Sequence, residues 1–178
     1  MNEKIIELIR KKINLKSNHW IHYHTTNCYA YALGLDIRER KIVKDAYKPG
    51  AMSGYEKAIK KNQLFIREDL IKAIFMDMDL LGIQIKQINV TDNIDDDAWK
   101  IALFITRYSK YSKNLDDFHF LREVSNNMWY HKVGFDSRPT NLDDNYNIIN
   151  NPKECFLKNR EYDSCYCLKL KKGGIYDI

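Results

Sequence analysis

The sequence lacks a long hydrophobic run. Its 178 residues contain no uninterrupted apolar stretch of about 18 or more residues, the length that a membrane-spanning helix needs. The opening stretch MNEKIIELIRKKI carries Lys and Glu among its apolar residues, so it does not read as the hydrophobic region of a secretion signal. We therefore expect no membrane span, no signal peptide and a cytoplasmic location.

The chain also lacks a concentrated basic stripe. Its net charge of +5 comes from 29 Lys and Arg against 24 Asp and Glu, and the two signs are mixed along the sequence. Nucleic-acid-binding proteins usually cluster Lys and Arg on one face, whereas KAIKK and KLKKGG are short runs of a solvated surface. We expect no nucleic-acid partner.

A disulfide framework and a recognisable metal motif are both missing. The chain is long enough to bury a hydrophobic core without disulfides, so we expect free thiols at its four cysteines, Cys28, Cys155, Cys165 and Cys167. The CYC pair has one intervening residue, whereas structural zinc sites favour two or more. His19, His22 and His24 lie ahead of Cys28, but the spacing H-x-H-x3-C is not a standard zinc pattern. We expect no metal and no cofactor.

Helical periodicity fills the first half of the chain, and strand patterns fill the second. Helical spacing occurs in MNEKIIELIRKKI, CYAYALGL, SGYEKAIKK and REDLIKAIFMDMDLLG. Strand patterns occur in IQIKQI, WKIALFIT, DFHFLREV, MWYHKVG and YCLKL. A long polar loop, SRPTNLDDNYNIINNPKE, precedes the last strand, and loops of this length are often functional. This order predicts one α+β domain over residues 1–178, in which helices pack on a mostly antiparallel sheet of about five strands.

Cys28 lies where the predicted helix CYAYALGL begins. Thr26 or Asn27 is suited to cap that helix, and Gly34 is suited to end it. Unpaired backbone N–H groups at a helix start lower the pKa of a thiol from about 8.5 toward neutrality, which is what a cysteine nucleophile needs. The competing interpretation is a buried structural cysteine, the commoner state of a free thiol.

Two histidines in the second half are candidates for a base. If the hairpin loop is Ser125 to Asn127, Val124 faces Met128 and His131 faces Leu121. His119 then lies on the same face as His131, close enough for one imidazole to orient the other. A two-residue loop would reverse this parity and separate the two rings.

This order of elements resembles the papain-like cysteine peptidases, and most closely the NlpC-type branch of bacterial cell-wall peptidases. In that branch a cysteine opens a helix, a histidine begins a later strand, and a polar residue follows on the next strand. Here NC of NCYAYAL matches the nucleophile motif, His119 of DFHF matches the base, and His131 of WYHK matches the orienting residue. Asn27 stands where the family usually has Asp, and Tyr29 and Ala30 stand where it has Ser and Gly. The relationship is therefore distant.

The resemblance implies a cysteine hydrolase that cleaves a peptide or isopeptide bond through a thioester, with bacterial cell-wall peptide as one substrate class. Cys28 is expected to attack the carbonyl carbon, His119 to accept the thiol proton, and His131 to hold His119 in the productive tautomer. A second assignment makes His131 the base and Asn141 the orienting residue.

Further residues are expected around the substrate. The backbone N–H of Cys28 and one upstream donor, from His22, Tyr23 or Asn27, are expected to bind the oxyanion. Trp129 is expected to supply an apolar contact.

Two other functions remain open at this level. An acyltransferase of the same superfamily would use the same nucleophile. A non-catalytic interaction protein of a phage or mobile element would use the fold without the chemistry. Action on the cell wall would require other factors to deliver the protein outside the cell.

Overall fold

The computed structural model describes residues 6–7, 9–10, 26–35, 48–55, 66–107, 115–135 and 137–171. Two helices have defined bounds, α1 (Cys28–Ala32) and α2 (Arg67–Leu80). The strands are β1 (Ile83–Ile88), β2 (Ala98–Arg107), β3 (Leu115–Ser125), β4 (Met128–His131) and β5 (Glu161–Leu170). Residues 6, 7, 9 and 10 are also helical. The predicted helix in SGYEKAIKK falls mostly outside the described residues.

The five strands form one sheet in the order β1-β5-β2-β3-β4, and each of its pairings is antiparallel. The fold is therefore α+β, as the sequence predicts. The nearly continuous apolar run of β2 fits its central position, because a central strand is buried on both faces. Neither described helix is long and apolar enough to cross a membrane.

Helix α2 follows the signals in its sequence. Glu68 and Asp69 lie in its first turn, where a negative charge interacts favourably with the helix dipole. Gly82 lies just past its end with φ of 70°, a left-handed conformation that glycine adopts without steric cost. Its buried positions are Leu70, Ala73, Ile74, Asp77 and Met78. One of these is a carboxylate, which the helical periodicity did not predict.

The sheet has a hydrophobic core on each face. Alternate residues of β2 divide between the faces, so Ile101 and Leu103 join one core while Ala102 and Phe104 join the other. Helices α1 and α2 cover the first face, through residues that include Tyr29, Leu70 and Ile74. The second face is covered by residues after β4, which include Ile149 and Leu157. The long polar loop thus contributes to the core.

The β3–β4 hairpin has the predicted parity but a different turn. Leu121 faces His131 as expected, whereas Met128 faces Ser125 instead of Val124. The turn has two residues, with Asn127 left-handed at φ of 56°, and a β-bulge lies beside it at Val124. The prediction that a two-residue loop would reverse the parity was wrong, because the bulge adds the missing residue.

Candidate functional site

Helix α1 places Cys28 at its first position. Asn27 has extended backbone angles, and its Oδ1 accepts a hydrogen bond from the Ala30 N–H at 3.0 Å, so Asn27 is the N-cap. The helix ends at Gly34, which has φ of 69°. All five residues of α1 are buried. This burial fixes the cysteine and also removes it from water.

The thiol of Cys28 is protonated at neutral pH. Burial raises its pKa to about 11, although backbone hydrogen bonds from Phe120 and Tyr29 act in the opposite direction. The expectation of a lowered pKa was therefore wrong. The reason is that the desolvation of a buried thiolate outweighs the few N–H groups that a five-residue helix offers.

The Cys28 thiol lies beside the backbone of Phe120, the residue that follows His119 on β3. The backbone N–H and C=O of His131 both bond to Thr140, so His131 and Leu121 form a non-hydrogen-bonded pair. The N–H of the preceding residue, Phe120, must then point toward β4 and past its end, where the Cys28 thiol meets it. Cys28 packs with the Phe120 side chain in the core of the first face, while the His119 side chain points to the opposite face.

His119 of β3 and His131 of β4 form a hydrogen-bonded pair. His119 Nε2 lies 2.8 Å from His131 Nδ1, and the two rings are nearly perpendicular, at 87°. The other ring nitrogen of His131, Nε2, lies 3.0 Å from the carbonyl oxygen of Leu142. Both imidazoles are buried. The structure thus brings together the two histidines that the sequence singled out.

The two hydrogen bonds that link His119 to His131 and His131 to the Leu142 carbonyl determine which ring nitrogens carry protons. Burial lowers the pKa of both imidazoles, so each is neutral and carries one N–H at neutral pH. The carbonyl of Leu142 can only accept, so the proton of His131 is on Nε2 and its Nδ1 is an acceptor. His119 must then donate through Nε2. The Nδ1 atom of His119 is left with a lone pair, the state of a general base.

Arg160 adds a positive charge to this group, although no pattern in the sequence pointed to it. Arg160 Nη2 lies 3.9 Å from Asp117 Oδ2, next to the start of the His119 segment. Its charge contributes to lowering the pKa of both histidines, after burial, and it opposes the raised pKa of Cys28. Arg160 precedes β5, so only the order of strands in the sheet brings it here.

The alternative orienting residue, Asn141, is next to the residue that holds His131. Asn141 accepts a backbone hydrogen bond from Ile149, whereas the next residue, Leu142, is the one whose carbonyl holds His131. Trp129 is fully buried in the core of the second face, so it does not line an open cleft. The expected oxyanion donors His22 and Tyr23 lie outside the described residues, as do His19 and His24.

Within the described ranges, no group of three or more His, Cys, Asp or Glu side chains is arranged to hold a metal ion. Searches of protein-family models, of curated proteins and of solved structures each give no match for this chain. A proposal for the function of this chain therefore rests on the arrangement of Cys28, His119 and His131.

Proposed function

We propose that the chain is a cysteine hydrolase that cleaves an amide bond through a thioester intermediate. The proposal rests on one observation. Hydrogen bonds run from the Leu142 carbonyl through His131 to His119, and they leave a lone pair on His119 Nδ1. A buried imidazole oriented in this way is what a general base requires. The proposed nucleophile is the Cys28 thiol, which lies beside the backbone N–H of Phe120, the residue after His119.

In the proposed reaction, Cys28 Sγ attacks the carbonyl carbon while His119 Nδ1 takes the thiol proton. The electrons of the C=O double bond move to oxygen, and the backbone N–H of Cys28 is the expected oxyanion donor. The intermediate collapses, the C–N bond breaks, and His119 gives the proton to the leaving amine. Water then attacks the thioester with His119 again as base, and the C–S bond breaks to release the acid and restore the thiol.

The protonation states favour attack coupled to proton transfer over a pre-formed thiolate. The thiol keeps its proton at neutral pH, since its pKa is about 11, and the neutral His119 can accept that proton. General-base assistance of this kind typically contributes about 10²–10⁴-fold in rate. His131 supports it by stabilising the imidazolium that forms on His119.

The substrate class follows from the resemblance to papain-like peptidases of the NlpC type. A cysteine at a helix start ahead of a β-rich half is the arrangement that suggests a peptide or isopeptide bond, including those of bacterial cell-wall peptide. An acyltransferase would follow the same steps with an acceptor other than water in the second half.

The burial of Cys28 favours a second candidate, a non-catalytic interaction protein on a peptidase-like fold. A thiol with a raised pKa is the ordinary state of a structural cysteine. Several large side chains after β4 are also exposed, namely Val133, Tyr146 and Ile148.

A peptide carrying a thiol-reactive electrophile separates the two candidates. Cys155 is the internal control, because burial also raises its pKa to about 11 while its side chain is more exposed than that of Cys28. If His119 acts as a base, the probe modifies Cys28 faster than Cys155, and His119→Gln removes the excess rate. Mass spectrometry of the digested protein locates the label.

Equal labelling of Cys28 and Cys155 in the wild type would favour the interaction protein. Once a cleaved substrate is found, we expect Cys28→Ala to lower kcat/KM by about 10³-fold or more, since residues that act as a unit fail together. Full activity of Cys28→Ala would overturn the hydrolase.

A further inference from the structure

A buried carboxylate lies behind the helix that carries Cys28. Asp77 of α2 is fully buried and accepts hydrogen bonds from three residues. Its Oδ2 lies 3.2 Å from the Tyr29 hydroxyl and 2.7 Å from the Gly50 N–H, and its Oδ1 lies 2.8 Å from the Ser53 N–H. Asp77 thus joins α2, the 48–55 loop and α1 at one point.

The three donors are what make this carboxylate tolerable in the core. Burial raises the pKa of Asp77, whereas the hydrogen bonds from Ser53, Gly50 and Tyr29 lower it. Removing a donor from a buried charge costs more free energy than removing one from water, because nothing replaces the lost bond. The Tyr29 hydroxyl therefore links α1 to the buried carboxylate of α2.

Tyr29 connects Asp77 to the two backbone N–H groups beside the Cys28 thiol. Its own backbone N–H is one of the two that bond to Cys28, and the other belongs to Phe120. The ring of Tyr29 packs on the ring of Phe120, with 5.1 Å between their centroids. The Tyr29 side chain therefore spans from Asp77 to the strand edge where the thiol lies.

We infer that Asp77 is a positioning residue for the nucleophile, acting through Tyr29 to hold Cys28 against the edge of β3. The inference rests on the proposed function and names a residue outside its catalytic set. Asp77 touches neither the thiol nor the histidines in this arrangement. Its effect belongs to the geometry of attack, so it should appear in kcat and not in KM.

Three variants test the inference. Tyr29→Phe removes only the hydroxyl, and Asp77→Asn replaces one acceptor oxygen with an amide nitrogen that cannot accept a hydrogen bond. Asp79→Asn is the matched control, because Asp79 lies on the same helix but is exposed and hydrogen-bonded to Lys171. The readouts are the rate at which the electrophilic peptide modifies Cys28, relative to Cys155, and the ¹H–¹⁵N resonance of Phe120.

We expect Tyr29→Phe and Asp77→Asn each to lower the relative labelling rate of Cys28 about tenfold, the effect of about 1.4 kcal/mol. The double variant should be no slower than the slower single variant, since both act through one hydrogen bond. The Phe120 resonance should shift in both, and Asp79→Asn should match the wild type in every readout.

A Tyr29→Phe protein that is folded by circular dichroism and labels at the wild-type rate, with an unmoved Phe120 resonance, overturns the inference. Independent, additive effects of the two variants also overturn it. If wild-type Cys28 labels no faster than Cys155, the hydrolase proposal fails separately. The Phe120 resonance then still decides whether Asp77 positions the thiol.

Discussion

His119 and His131 make the stability of the folded protein depend on pH. Burial holds the pKa of both below the ordinary value of about 6.5. The unfolded chain therefore takes up protons that the folded chain does not, as the pH falls through 6.5. The stabilisation is fully present above that pH and is lost below it, by up to about 1.4 kcal/mol per pH unit for each histidine.

We expect the free energy of unfolding in urea to fall between pH 7.5 and pH 5.5, and to fall less steeply in His131→Gln. Glutamine removes one titrating group while its amide can still accept from His119 and donate to the Leu142 carbonyl. The comparison of slopes reports the contribution of His131, including its effect on the pKa of His119. An unchanged slope in the variant would mean that the pKa of His131 is the same in the folded and the unfolded chain, which would contradict the lowered pKa.

The sequence predicted the residues of this site better than their chemistry. The predicted parity placed His119 and His131 on one face, although a two-residue turn and a bulge produce that parity in place of the predicted three-residue loop. The raised pKa of Cys28 depends on how deeply α1 is buried, which comes from tertiary packing and left no mark near residue 28. The burial of Asp77 could not be predicted for the same reason, because the sequence of a helix does not distinguish a buried carboxylate from an exposed one.

At the scale of elements, the pairing register of the β3–β4 hairpin determines where the two histidines of the site lie relative to each other. Its two-residue turn needs a left-handed residue at Asn127, and the bulge at Val124 keeps His131 opposite Leu121. The backbone N–H of Asn127 also donates to Glu123 Oε1 at 3.0 Å. The turn and bulge together set which face both histidines occupy.

We expect Asn127→Ala to destabilise the protein by about 1 kcal/mol, because a Cβ-bearing residue other than Asn or Asp pays a steric cost in the left-handed region. Asn127→Gly should be at least as stable as the wild type, since glycine adopts this conformation freely. Urea unfolding measures both. Asn126→Ala is the control, as this neighbouring turn residue does not have a positive φ. A cost at residue 126 equal to that at 127 would contradict the explanation.

The helices and strands themselves were largely predictable, whereas the exact turns between them were not. The helix Arg67–Leu80 and strands β1 to β4 lie where periodicity and turn residues put them, whereas β5 begins at Glu161, ahead of the predicted YCLKL. The bulge at Val124 was missed because the segment SNN permits either a two- or a three-residue turn. Only the pairing of the rest of the hairpin decides between them.

At the scale of the whole molecule, the segment from 137 to 160 serves as the cover of the second face. Its first part, residues 137–154, was expected to be a polar functional loop, and most of those residues are indeed polar. Two of its few apolar side chains, Ile149 and Leu157, are nevertheless buried with Trp129 against the sheet. The same segment supplies the Leu142 carbonyl that holds His131, so its packing and the site are connected.

We expect Ile149→Ala to lower the free energy of unfolding by about 2–5 kcal/mol, the usual cost of truncating a buried isoleucine. Ile148→Ala should change it by no more than about 0.5 kcal/mol, because that neighbouring side chain is 58% exposed. The two residues are adjacent in the same segment, so chemical denaturation of the two variants compares the loss of a buried side chain with the loss of an exposed one. Similar values for both would mean that the segment does not seal the second face.

The position of β5 in the sheet sets the order in which the protein can be completed during synthesis. Residues 161–170 pair with β1 on one side and with β2 on the other. Until they emerge from the ribosome, both of those earlier strands expose open backbone edges, the kind of surface that invites pairing with other chains. The β3–β4 hairpin can form beforehand, but Arg160 and the two cores must wait for the last strand.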